Sequence, residues 1–134
     1  MKSRRYSSKS LSIRLRNEIS LVYQPQVLNN GKIVGCEVLA RWNNLELGPV
    51  QTDLFIEIAE KTGFILEIGE FVLEESLKTL KRWCDKGLTL EQFSINISMR
   101  QLLHQNFISF IEKIFDKYEC AEMKTKIIFE ITET

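Results

Sequence analysis

The sequence predicts an α/β fold, a partial (β/α) barrel of about four strands whose first strand runs antiparallel to the second. Three observations predict it. Four short runs rich in β-formers are separated by stretches whose apolar residues recur at helical spacing, the pattern of strands joined by crossovers. Asn29, Asn30 and Gly31 supply turn chemistry between the first two runs, which makes them a hairpin. Neither GxGxxG nor GxxxxGK followed by Ser or Thr occurs, and there are only six glycines, which favours a barrel over an open nucleotide-binding sheet.

Residues 1–10 are a basic, serine-rich tail, either a solvated extension or the flank of a membrane segment lost upstream. Apolar residues at 11, 15 and 19 then predict a short lead-in helix, with Ser8 or Ser10 as its cap. "SLVYQPQVL" and "IVGCEVLARW" are the hairpin strands. Thr52 and Asp53 signal the start of a helix through "LFIEIAEKTG", which Gly63 stops. In the next helix Leu73, Leu77, Leu80 and Cys84 share a face, Glu74 precedes Lys78 by four, and Gly87 stands just past the end. "FSINIS" is a strand, Asn106 is placed to cap a helix with apolar positions 107, 108, 111, 114, 115 and 118, and "KIIFEIT" is the last strand. The expected order is α, β, β, α, α, β, α, β.

At 134 residues the chain has the size of one domain. Its 18 basic and 18 acidic residues balance, so no overall field favours a nucleic acid polymer or an anionic membrane. Cys36, Cys84 and Cys120 are odd in number and widely spaced, which argues for buried thiols rather than a disulfide framework or a zinc site. No apolar run approaches the ~20 residues that span a bilayer, and the expected location is the cytoplasm.

Strand alternation sorts the polar residues. Gly35, Glu37, Leu39 and Arg41 share one face of the second strand, while Cys36, Val38, Ala40 and Trp42 share the other, more apolar one. Asn96 opposes Ile95 and Ile97, and Glu130 opposes Phe129 and Ile131. Three strands thus each aim an oxygen-bearing side chain away from the helix-packing side, which in a barrel is the interior. Two carboxylates and an amide converging there repel unless a cation sits between them, and an all-oxygen set suits Mg²⁺, Mn²⁺ or Ca²⁺. Arg41 is either a phosphate contact or half of an ion pair with a loop carboxylate. Gln24 is either a ligand-reading amide or a solvated hairpin residue. His104, the single histidine, reads as a surface or helix-capping residue.

"LVYQPQV", "EVLARW", "FIEIAEKTGFILEIGEFVLEESL", "SINISMRQL" and "FEITET" resemble, in order and spacing, the first half of an EAL domain, the cyclic-di-GMP phosphodiesterase module of bacterial signalling. The resemblance runs from about Leu15 to Thr134, with Glu-Val-Leu in place of the signature triplet, and assigns residues 11–134 to the amino-terminal half of such a domain. It implies a TIM-like barrel with Mg²⁺ or Mn²⁺ at the carboxyl ends of its strands. By position it makes Glu37, Asn96 and Glu130 metal ligands, and Gln24, Leu39 and Arg41 contacts of the dinucleotide. Glu133 becomes a loop-supporting glutamate.

The family's paired aspartates, catalytic lysine and later glutamate fall beyond "EITET". The expectation is therefore a truncated phosphodiesterase, inactive alone and binding cyclic-di-GMP weakly or not at all, completed by a missing carboxyl-terminal half or a second copy. A degenerate module acting by protein contact or weak dinucleotide binding is the alternative.

Overall fold

The computed structural model describes residues 17–119 and 125–132. The tail at 1–10, most of the lead-in helix, Cys120 and Glu133 lie outside the described residues; Asn17 and Glu18 are helical. Strands β1 (Ile19–Val27) and β2 (Ile33–Asn44) form the expected antiparallel hairpin, turned by Gly31 at a φ of 84°. Then come β3 (Gly48–Val50), α1 (Thr52–Thr62), α2 (Ile65–Asp85), β4 (Gln92–Ser98), α3 (Met99–Leu102), α4 (Phe107–Lys117) and β5 (Lys126–Thr132). β2 pairs β4 and β4 pairs β5, both in parallel, giving the sheet order β1-β2-β4-β5 with β3 beside the end of β2. The fold is α/β, with an antiparallel first strand and helical crossovers between parallel ones, as the sequence predicts.

Two elements lie outside the expected order. β3 has three residues and α3 has four, too short for either to show a periodicity. The helix starts also differ. Gln51, not Thr52, is the N-cap of α1, and it makes no side-chain capping bond. Asn106 holds the N-cap position of α4 without a side-chain bond, while its backbone N–H donates to His104 Nδ1 at 3.2 Å. Gly63, at a φ of 79°, ends α1 as expected.

The helices cover one face of the sheet, which alternation had selected. Cys36, Val38 and Trp42 of β2 join Phe93, Ile95 and Ile97 of β4, and Leu73, Leu77 and Leu80 of α2, in one buried cluster. Tyr23 crosses from β1 to α2, donating its hydroxyl to Thr79 Oγ1 at 2.9 Å and meeting the Trp83 ring edge-on at 5.0 Å. Burial raises the Cys36 thiol from its usual 9.0 to about 11, so it stays a neutral core group and no nucleophile. The buried-thiol expectation fails at Cys84, which is disulfide-bonded. No described helix is long and apolar enough to cross a membrane.

Entry to the sheet is tied to the β2–β3 turn. Buried Glu18 accepts the Leu45 backbone N–H at 3.0 Å and the Asn44 side-chain amide at 3.2 Å.

Candidate functional site

The face of the sheet turned away from the helices carries the polar residues of all four long strands. Gln24 of β1 stands opposite Glu37, Glu37 is level with Ser94 of β4, and Asn96 is level with Glu130 of β5. Glu37 is therefore diagonal to Asn96 rather than beside it. Two residues of rise and one strand spacing put their Cα atoms about 8 Å apart, within reach of a shared ion for long side chains. Leu39 and Arg41 continue the same face toward the carboxyl end of β2, with Leu39 half-buried and Arg41 exposed.

The hydrogen bonds orient this set. Asn96 donates its side-chain amide to the Val38 carbonyl of β2 at 3.5 Å, a long contact that leaves its Oδ1 available as an acceptor. Neither the Glu37 nor the Glu130 side chain forms an ion pair or hydrogen bond among the described residues. Arg41 donates to its neighbour's carbonyl, Ala40 O, at 3.3 Å, and no described carboxylate pairs with it, so the ion-pair alternative is not realised there. Two unpartnered carboxylates with an amide oxygen between them form a hard, all-oxygen donor set. Among the described residues no three His, Cys, Asp or Glu side chains converge on a metal-sized centre. Any ion held by Glu37, Asn96 and Glu130 takes its remaining ligands from water, substrate or other residues.

The opposite, amino-terminal end of the face is closed by neutral amides. Gln92 of β4 donates to Gln26 Oε1 of β1 at 2.6 Å, across the intervening strand β2. The bond passes over Gly35, where a Cβ would stand 2.5 Å from Gln92 Cγ and 2.7 Å from Gln26 Oε1. Gly35 is required here by close approach and not by its backbone angle. We expect Gly35→Ala to break this bridge and lower stability by about 1–3 kcal/mol in urea unfolding. A change below ~0.5 kcal/mol would show that the bridge yields freely.

At the carboxyl end, a cavity of about 290 Å³ opens between the ends of β2 and β4 and helices α1 and α2. Arg41, Asn96 and Ser98 are among its polar lining residues; Leu39, Phe55 and Ile65 are among its apolar ones. Sequence reasoning missed this cavity, the glutamine bridge and Gln101, which lies in the cavity wall. Each depends on contacts between segments far apart in the chain. His104 is exposed in the turn between α3 and α4, away from the open face, in keeping with the surface or capping role expected of it.

Comparison with known proteins agrees with the geometry. The family model described as EAL domain matches residues 8–134. The chain is 32% identical over 120 residues to the bifunctional diguanylate cyclase/cyclic di-GMP phosphodiesterase MucR of Pseudomonas aeruginosa, covering 89% of this chain and 17% of that protein. A solved PaMucR phosphodiesterase in complex with c-di-GMP superposes with a TM-score of 0.78 at 31% identity, over 90% of this chain and 49% of that one. The EAL enzyme Bd1971, in its cAMP- and cyclic-di-GMP-bound form, gives a TM-score of 0.71 at 32% identity, over 93% of this chain and 38% of that one. The chain thus spans about half or less of these relatives.

Proposed function

The chain belongs to the EAL domain family, and on that footing we propose that it supplies the amino-terminal, ligand-gripping half of a cyclic-di-GMP phosphodiesterase site and does not hydrolyse the dinucleotide alone. The observation that carries this is the open sheet face, where Glu37, Asn96 and Glu130 stand on three neighbouring strands with both carboxylates unpartnered among the described residues. In this proposal Glu37 and Glu130 each offer a carboxylate oxygen to Mg²⁺ or Mn²⁺, and Asn96 offers its Oδ1. The ion, when bound, supplies charge neutralisation at phosphorus and activation of water. Arg41 grips a phosphate oxygen, Leu39 packs against the dinucleotide, Gln24 reads it from β1, and the cavity at the mouth seats one base. Glu133 supports the adjoining loop.

The apolar residues of the same face favour a half-site over a finished one. Val22 is 42% exposed and Ile128 37% exposed, on a surface that a closed barrel buries. Two-metal hydrolysis needs ligands on both sides of the ions to hold water in line with the leaving oxygen.

The test is to incubate the purified chain with cyclic-di-GMP and Mn²⁺, following both binding and the linear product. We expect metal-assisted binding without product above background. Clear turnover would overturn the half-site proposal, and absence of binding would overturn the ligand assignment.

A further inference from the structure

The even balance of charge over the whole chain conceals a partition. Residues 1–16 hold six of the 18 basic residues and none of the 18 acidic ones, so the rest of the chain is net acidic. This basic segment joins the described fold at Asn17, next to Glu18, and Glu18 is fastened to the β2–β3 turn. The turn carries Leu45 and Leu47, 83% and 77% exposed, the two most exposed large apolar residues among those described. Its backbone is satisfied from within. The Leu45 N–H donates to Glu18 Oε1 at 3.0 Å, and the Glu46 and Leu47 N–H groups both donate to Asn44 Oδ1 at 3.0 Å. Single exposed leucines are ordinary on a protein surface. Two on one turn, whose three successive N–H groups need no water, suit an apolar environment.

We propose that this end of the molecule is a docking surface for an anionic membrane, with Leu45 and Leu47 entering the interface and the basic segment meeting the lipid headgroups. The inference stands apart from the proposed function. Each leucine gains by leaving water, and the turn is already held by its own bonds, so little ordering opposes the gain. That effect alone acts on any bilayer. The basic residues supply the preference for negative headgroups, an attraction that salt screens. Glu46, exposed between the leucines, opposes it. A nucleic acid polymer would use the same positive charge through its phosphates but has no use for the leucines, so the pairing of the two favours lipid. Ile19 pairs with Trp42 and Asn44 with Gly48, which sets both parts at the carboxyl end of β2, where the cavity opens.

The experiment is co-sedimentation of the full chain with vesicles of phosphatidylcholine alone and of an equal mixture of phosphatidylcholine and phosphatidylserine, at low and high salt, with circular dichroism to establish folding. Wild type is expected to bind the mixed vesicles at least about tenfold more tightly than the neutral ones, and to lose that margin as salt rises. Exchanging Leu45 and Leu47 together for serine should weaken binding to the mixed vesicles about tenfold and leave the fold unchanged, because both side chains stand in solvent. Arg4→Glu combined with Arg5→Glu should weaken it by a similar factor, and Glu46→Lys should strengthen it about threefold. A loss that follows the arginines but not the leucines would overturn the inference, since it describes a tail held by charge alone. Binding to polyuridylate without binding to either vesicle would assign the basic segment to nucleic acid and overturn it too, as would binding to none of the three.

Discussion

Replacing Phe93 with alanine is expected to remove about 3–5 kcal/mol of folding free energy, the largest single loss foreseen for this chain. Phe93 is fully buried on β4, a strand paired on both sides. Its ring lies 6.2 Å from that of Tyr23 and 6.2 Å from that of Trp83, so it joins β1, β4 and α2 in one aromatic cluster. Truncation leaves a void that none of these anchored neighbours can fill, and small domains have only about 5–15 kcal/mol in total. Urea unfolding followed by far-ultraviolet circular dichroism should show a much lower midpoint with little change in slope. A loss under ~1 kcal/mol would mean that the helix layer is not packed on the sheet as described.

Exchanging Glu37 for glutamine is expected to abolish most of the metal-dependent gain in cyclic-di-GMP binding, by at least about tenfold, with little effect on unfolding. The substitution is nearly isosteric and removes one of two carboxylates on the open face, with no described ion pair to lose. Glu130→Gln should act in the same direction. Arg41→Ala should instead weaken binding whether or not Mg²⁺ or Mn²⁺ is present, because in the proposed site it holds phosphate rather than metal. Titration with and without chelator separates the two classes. Identical responses of Glu37→Gln and Arg41→Ala would contradict the division of roles.

Much of this arrangement was legible before any coordinates. Alternation alone sorted Glu37 and Arg41 from Cys36, Val38 and Trp42, because a strand covered on one side must keep its parity. Gly31 and Gly63 marked their turns, since both positions need a positive φ. The diagonal offset between Glu37 and Asn96 was not legible, because parity says which face a residue takes and nothing about the level at which two strands meet. The bond between Gln26 and Gln92 joins residues 66 apart in sequence, and neither glutamine lies in a pattern that names the other. Thr52 looked like a cap by composition, but the chain reaches α1 through extended Gln51 and places Thr52 inside the helix.

The parity of β2 also says how this site can and cannot change. A substitution at Glu37 alters one side chain, but inserting or deleting one residue between Gly35 and Glu37 shifts everything beyond it by half a repeat. Glu37 and Arg41 would then turn into the layer now filled by Val38 and Trp42, and those residues would turn outward. Two uncompensated charges in the core would unfold the strand before any question of binding arose. The candidate site is thus written as a phase along the strand, tolerant of spelling and intolerant of frame.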